Sequence, residues 1–292
     1  MSPLIQVLSR NALLIVLGGF VFLLLVWAAG AILLRYTVEH RAGIRRGVSG
    51  ILVRLGRRPS MVRLRRRFPR LFGALGRALT LPEYLGLHWV AALIAALGTI
   101  GFARLAHEIA GSGRLARLDT DFALALHQTA GPGLQHAMQA VTMLGNGWTL
   151  AGMGIIVIAI LLLRRRRSLA TGMAVALAGA GLLNQALKDV FQRPRPAFAA
   201  GMDSWSFPSG HAMGSLVAWG MLAYLGTLVL PRRAARVVVA LLVLVVLLIG
   251  LSRLYLGVHY LSDILAGYAA GSVWLAMCIS ATEIARGEEG KT

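Results

Sequence analysis

The chain has 292 residues, 57% of them hydrophobic and only 14% charged, with a mean hydropathy of +0.71. That leaves too little polar surface to cover a soluble globule of this size, so the composition indicates a polytopic, all-α membrane bundle. The formal charge of +19 comes from 30 Lys plus Arg against 11 Asp plus Glu. No nucleic-acid-binding module accompanies it, and arginine blocks between apolar runs read instead as cytoplasmic connections facing anionic lipid. The single cysteine, Cys278, excludes an intrachain disulfide and a thiolate metal cluster and reads as a packing residue.

About 20 apolar residues cross the hydrocarbon core as a helix. Seven segments meet that criterion, at roughly 12–34, 84–104, 143–163, 169–187, 209–230, 236–254 and 260–281. The first, ALLIVLGGFVFLLLVWAAGAILL, is too long for the apolar region of a signal peptide and is expected to stay as an uncleaved helix. Residues 35–77 follow, with thirteen arginines against one acid, Glu39. This block is expected on the cytoplasmic side, against anionic lipid. Alternation then puts 105–142 outside, Arg164 to Arg167 inside, 188–208 outside, Arg232, Arg233 and Arg236 inside, the turn near 255–259 outside, and the C-terminus inside. All three arginine-rich connections agree with one topology, that of a plasma-membrane protein with a short outer N-terminus. The 105–142 stretch, with ARLDTDFALALHQ and TAGPG, is expected to form short amphipathic pieces over the outer end.

Four places carry polar or ionisable residues at the outer ends of the spans: LKDVFQRPRP (187–196), FPSGH (207–211), SRLYLGVHYLSD (252–263) and, more weakly, the 105–142 segment. Snorkelling accounts for a lone Lys188 or Arg253. It does not account for two histidines and an aspartate beside them, and ionisable residues at this depth point to a functional site.

Lys188, Arg195 and Arg253 supply permanent cations, and Ser209 and Gly210 supply a hydroxyl and backbone amides at a helix start. Together they suit a tetrahedral dianion such as phosphate. His259 and Asp263 stand four apart, so in a helix beginning near 259 they would share a face. The carboxylate could then accept the Nδ1 proton while Nε2 faces phosphorus as a nucleophile, through a phosphohistidine intermediate. His211 can protonate the departing oxygen and later deprotonate water. The scheme calls for no metal or other cofactor. For His259 and Asp263 alone, the competing reading is a structural interhelical hydrogen bond.

Lys188 and Arg195-Pro196 stand as K-x6-RP, residues 208–211 as PSGH, and residues 252–263 as SR-x5-H-x3-D. This ordered set resembles the type-2 phosphatidic acid phosphatase superfamily of integral-membrane lipid phosphatases, over about residues 84–283. The resemblance implies a six-helix phosphatase core at 84–283, with residues 1–83 as an additional helix and basic connection and 284–292 as a short tail. It also implies His259 as nucleophile, Asp263 as its partner, His211 as acid and base, and Lys188, Arg195, Ser209, Gly210 and Arg253 as phosphate ligands. The implied partner is a lipid phosphate, with undecaprenyl diphosphate or a related polyprenyl or glycerophospholipid phosphate preferred for an outward-facing site in a bacterial inner membrane. Three rivals stand beside this reading. A soluble vanadium haloperoxidase shares the motifs but not the spans, a lipid phosphotransferase or lipid A phosphatase would use the same residues, and a lipid transporter or scaffold would not need both histidines with Asp263.

Overall fold

The computed structural model describes residues 85–110, 114–129, 131–199, 202 and 204–289. The expected first span at 12–34 and the arginine block at 35–77 lie outside them. The described elements are α1 (Leu85–Ala110), α2 (Arg114–Thr129), α3 (Pro132–Met143), α4 (Gly147–Leu163), α5 (Arg167–Phe191), a 3-10 turn (Ala197–Ala199), α6 (Gly210–Val229), α7 (Arg232–Tyr255) and α8 (Leu261–Glu289). No strand occurs among the described residues. Residues from Ile94 onward belong to one compact unit, and the packing below is internal to it.

Six apolar helical segments in the described part are long enough to cross a membrane, and each matches an expected span from the second onward. One differs in extent: α3 and α4 together form an apolar stretch, Pro132–Leu163, where only 143–163 was expected. The break between them falls at Gly145-Asn146. A Cβ on Gly145 would come within 2.5 Å of Ile249 Cγ2, and the Asn146 side chain caps α4 by accepting from Trp148 N–H at 3.1 Å. Leu97, Ile100, Ile155, Leu182 and Leu241 are exposed, as side chains facing lipid should be. The tail expected from 284 is helical through Glu289, as a continuation of α8.

Helix α6 is central and packs on α4, α5, α7 and α8. Its contact with α8 requires a small residue. A Cβ on Gly267 would lie 2.7 Å from the Ser209 carbonyl oxygen, so the helices approach to backbone contact there. Further along, Met173, Ala176, Ala180, Val217, Met221 and Cys278 form an apolar core, with Cys278 in the packing role expected of it. Helix α2 buries Asp119, Ala123 and Leu126, which recur along one face, and that face packs on α7 and α8.

Up-and-down connectivity gathers the end of α5, the start of α6, the end of α7 and the start of α8 at one end of the bundle. The arginines of the 164–167 turn and of 232–236 lie at the other.

Candidate active site

Four chain segments converge at that first end. Helix α5 stops at Phe191 because Pro194 and Pro196 cannot continue it, and Gln192 leaves the helix with a left-handed φ of 43°. This delivers Lys188 in the last turn and Arg195 in the loop beyond. Ser209 caps α6, accepting from Ala212 N–H at 3.5 Å, so Gly210 and His211 are the first two helical residues. Their backbone N–H groups have no acceptor within the helix and face the end of the bundle. Arg253 occupies the last turn of α7, and Asp263 the first turn of α8.

His259 does not share a helical face with Asp263. Helix α8 begins at Leu261, and His259 precedes it in the connection from α7. The pairing nevertheless forms, because Asp263 turns back over the helix start. Its Oδ2 accepts from Tyr260 N–H at 2.9 Å, half of a capping box, and lies 3.4 Å from His259 Nδ1. On the opposite ring edge, His259 Nε2 lies 3.4 Å from Arg195 Nη1. A guanidinium can only donate, so Nε2 presents its lone pair and Nδ1 carries the proton. Burial pulls the His259 imidazole down from its ordinary range to about 4, against the opposing influence of Asp263.

Arg195 is itself well fixed. Nε donates to Ser204 O at 2.7 Å, Nη2 to Ser204 Oγ at 2.7 Å and Nη1 to Val258 O at 2.8 Å. Burial lowers its pKa from the usual guanidinium range, partly offset by Asp263. Lys188 donates to the Trp205 carbonyl, which leaves further ammonium donors. Arg253 Nη1 donates to Thr142 Oγ1 at 2.8 Å, while its Nε is buried with no hydrogen-bond partner among the described residues. A buried donor in that condition is costly unless an acceptor reaches it. Ser209 is more committed than expected. Its backbone N–H donates to the Asp263 carbonyl at 2.9 Å and its Oγ caps α6, which leaves the hydroxyl hydrogen available to a ligand.

All eight residues singled out in the sequence therefore gather at one end of the bundle. His211 lies within electrostatic reach of Arg253, His259, Arg195 and Lys188, and Lys188 within reach of Arg195, Asp263 and Arg253. Gly210 abuts α5 closely, and a Cβ there would lie 2.9 Å from Asn184 Oδ1. Such an arrangement can hold a dianion among cations and backbone amides with an imidazole lone pair beside it.

The motif reading missed a set of buried polar residues beneath the site. Arg193 bridges Asp263 and Asp119, Ser206 Oγ donates to Asp263, and Ser262 bonds both Arg193 and Asp119. Asp119 carried a readable signal, an acid in register with Ala123 and Leu126 on the apolar face of an amphipathic helix. Arg193 is followed by proline just as Arg195 is, and the K-x6-RP spacing passes over it.

The family model described as PAP2 superfamily matches residues 169–285. Phosphatidylglycerophosphatase B of Bacillus subtilis (strain 168) is 33% identical over 144 residues, 48% of this chain and 71% of that protein. The crystal structure of a transmembrane PAP2-type phosphatidylglycerolphosphate phosphatase from Bacillus subtilis matches with a TM-score of 0.60 and 27% identity, over 68% of this chain and 96% of that one. With its apolar spans and its matched helices, this integral membrane chain belongs to the PAP2 superfamily.

Proposed function

We propose that the chain hydrolyses the phosphate monoester of a membrane glycerophospholipid, with phosphatidylglycerophosphate the best-supported substrate, through a phosphohistidine and without a metal ion. The observation that carries the reading is His259, with Nδ1 against Asp263 and its Nε2 lone pair beside Arg195. The substrate class is supported by the phosphatidylglycerophosphate phosphatase named in both Bacillus subtilis matches. Polyprenyl diphosphate, preferred from topology alone, becomes the competing substrate.

In this scheme His259 Nε2 attacks phosphorus, and a P–N bond forms as the bond to the lipid oxygen breaks. A proton on His211, which the bound dianion favours by offsetting the cations around the ring, passes to the departing oxygen. His211 then takes a proton from water as that water attacks the phosphohistidine, and the P–N bond breaks to release phosphate. Lys188, Arg195 and Arg253, with the Ser209 hydroxyl and the Gly210 N–H, stabilise the equatorial oxygens, where charge accumulates in the transition state. Three cations within electrostatic reach of one another favour a dianion and would repel a divalent metal. The arginine-rich connections support an orientation with this end outside the plasma membrane.

The test is phosphate release in detergent from phosphatidylglycerophosphate, phosphatidic acid and undecaprenyl diphosphate, by wild type and His259→Ala. The expected result is the highest kcat/KM on phosphatidylglycerophosphate and loss of turnover in the variant. Equal turnover by the two proteins would rule out the phosphohistidine. Preference for the diphosphate would return the reading to carrier-lipid recycling, and phosphate appearing on a second lipid instead of in water would make the protein a phosphotransferase.

A further inference from the structure

Asp263 is fully buried and both of its carboxylate oxygens are occupied. Oδ2 serves His259, Tyr260 N–H and Ser206 Oγ, while Oδ1 accepts from Arg193 Nη1 at 2.6 Å. Arg193 is 8% exposed, its Nη2 donates to Asp119 Oδ2 at 2.9 Å, and its guanidinium carbon stacks 4.1 Å over the Tyr260 ring. Asp119, 3% exposed on α2, also accepts from Ser262 N–H at 3.2 Å, which ties α2 to the first turn of α8. One guanidinium thus lies between two buried carboxylates.

This placement decides what Arg193 can do. Both Nη atoms and one face of the guanidinium plane are engaged, so it is not arranged as a phosphate ligand. What it controls is the rotation of the Asp263 carboxylate, whose terminal torsion is otherwise broad. Fixing Oδ1 fixes where Oδ2 meets His259 Nδ1, and so the direction in which Nε2 points. Asp119 performs the same service for the guanidinium. It lies outside the 169–285 interval that matches the family model, on a helix that supplies none of the motif residues.

We propose that Arg193 and Asp119 are positioning residues: Asp119 clamps Arg193, and Arg193 sets the Asp263 carboxylate that orients the His259 nucleophile. The proposal rests on the phosphohistidine reading above. Because the clamp acts on the chemical step and not on substrate contact, its loss lowers kcat and spares KM.

The experiment uses the full chain in detergent with dioctanoyl phosphatidic acid as probe, comparing Asp119→Asn, Arg193→Gln, their double variant, Arg193→Lys and His259→Ala. Asp119→Asn and Arg193→Gln should each lower kcat by roughly 10- to 100-fold, the scale on which small misplacements of reacting groups act, with KM changed less than about twofold. The double variant should be no worse than Arg193→Gln alone, since both residues act through one contact chain. Arg193→Lys, which keeps the charge, should recover part of kcat.

A raised KM with kcat retained would make Arg193 a phosphate ligand and overturn the proposal, as would multiplying losses in the double variant or unchanged kcat in both singles. An inactive His259→Ala beside wild-type Arg193 and Asp119 variants would sink the clamp alone, whereas an active His259→Ala would sink the parent mechanism. Should Arg193→Gln fail to fold, Asp119→Asn and Ser262→Ala keep the cation, and the same kcat and KM readings on them decide the matter.

Discussion

Arg195 Nη1 lies 3.4 Å from His259 Nε2, on the ring edge opposite Asp263. In the proposed mechanism a guanidinium held by Ser204 and Val258 would stand where the oxygens of the attacked phosphoryl group pass. Arg195→Lys keeps the charge and loses the planar fork, so the ammonium cannot hold those anchors and face the histidine together. The expected outcome is a fall in kcat/KM on the order of 10²- to 10³-fold, comparable to removal of one transition-state donor. Steady-state phosphate release measures it, and a loss below about threefold would remove Arg195 from the transition state.

Burial holds the His259 imidazole near 4, so it is neutral in the folded protein through the range where a free histidine protonates. Between the ordinary value of 6.5 and about 4 the unfolded chain binds the additional proton and the folded chain does not. Stability contributed by this site is therefore fully present above the unfolded value and declines as the pH falls through that window. The difference in thermal unfolding midpoint between wild type and His259→Ala, followed from pH 7 to pH 4 in detergent, should move against wild type on acidification. A constant difference would show that the imidazole titrates normally.

The motif residues were legible because phosphoryl transfer demands particular groups at the membrane boundary, where any ionisable residue stands out against an apolar background. Lys188, His211, Arg253 and Asp263 could be named on that ground, and the arginine blocks separated the two ends of the bundle. The clamp was not legible in this way. Asp119 is about 74 residues before Arg193 and 143 before Ser262 in sequence, and only packing of α2 on α8 brings them together. The spacing of His259 and Asp263 implies a shared helical face, whereas their contact comes from a carboxylate folding back over a helix start. Spacing predicts the contact in either geometry, so it could not tell them apart.

Arg253 is held by a hydroxyl from another part of the chain, with Nη1 donating to Thr142 Oγ1 at 2.8 Å. Thr142→Val removes that oxygen at nearly constant volume and releases the end of the guanidinium. A hydrogen bond to a charged group contributes about 1.5–3 kcal/mol. If half of that is felt in holding Arg253 toward the phosphate, KM should rise several-fold with kcat less affected. Kinetics with dioctanoyl phosphatidic acid decides it, and an unchanged KM would mean that Arg253 is positioned by its helix alone.

Metal removal gives a sharper contrast. Lys188, Arg195 and Arg253 act on one another electrostatically, so a divalent ion among them would enter against three positive charges. In the proposed scheme they would do what metal ions do in other phosphoryl-transfer sites, neutralising the equatorial oxygens. Activity should persist in excess EDTA, within about twofold of the untreated protein. Abolition by EDTA with recovery on adding Mg²⁺ would overturn the metal-free scheme.

The approach of α8 to α6 can be tested with two glycines of opposite surroundings. A Cβ on Gly267 would meet Ser209 O at 2.7 Å and Met213 N at 3.2 Å, both backbone atoms that no rotamer change can move. Gly267→Ala must therefore displace the start of α6, which carries Ser209, Gly210 and His211. On Gly101 an added Cβ meets nothing within 4 Å, and replacing a helical glycine by alanine favours the helix by up to about 1 kcal/mol. Gly267→Ala should thus lower kcat by about 10-fold or more, along with the unfolding midpoint, while Gly101→Ala leaves kcat unchanged and the midpoint equal or higher. Equal activity in the two variants would mean that the start of α6 tolerates displacement, and that the backbone amides of Gly210 and His211 do not need their present positions for phosphate to react.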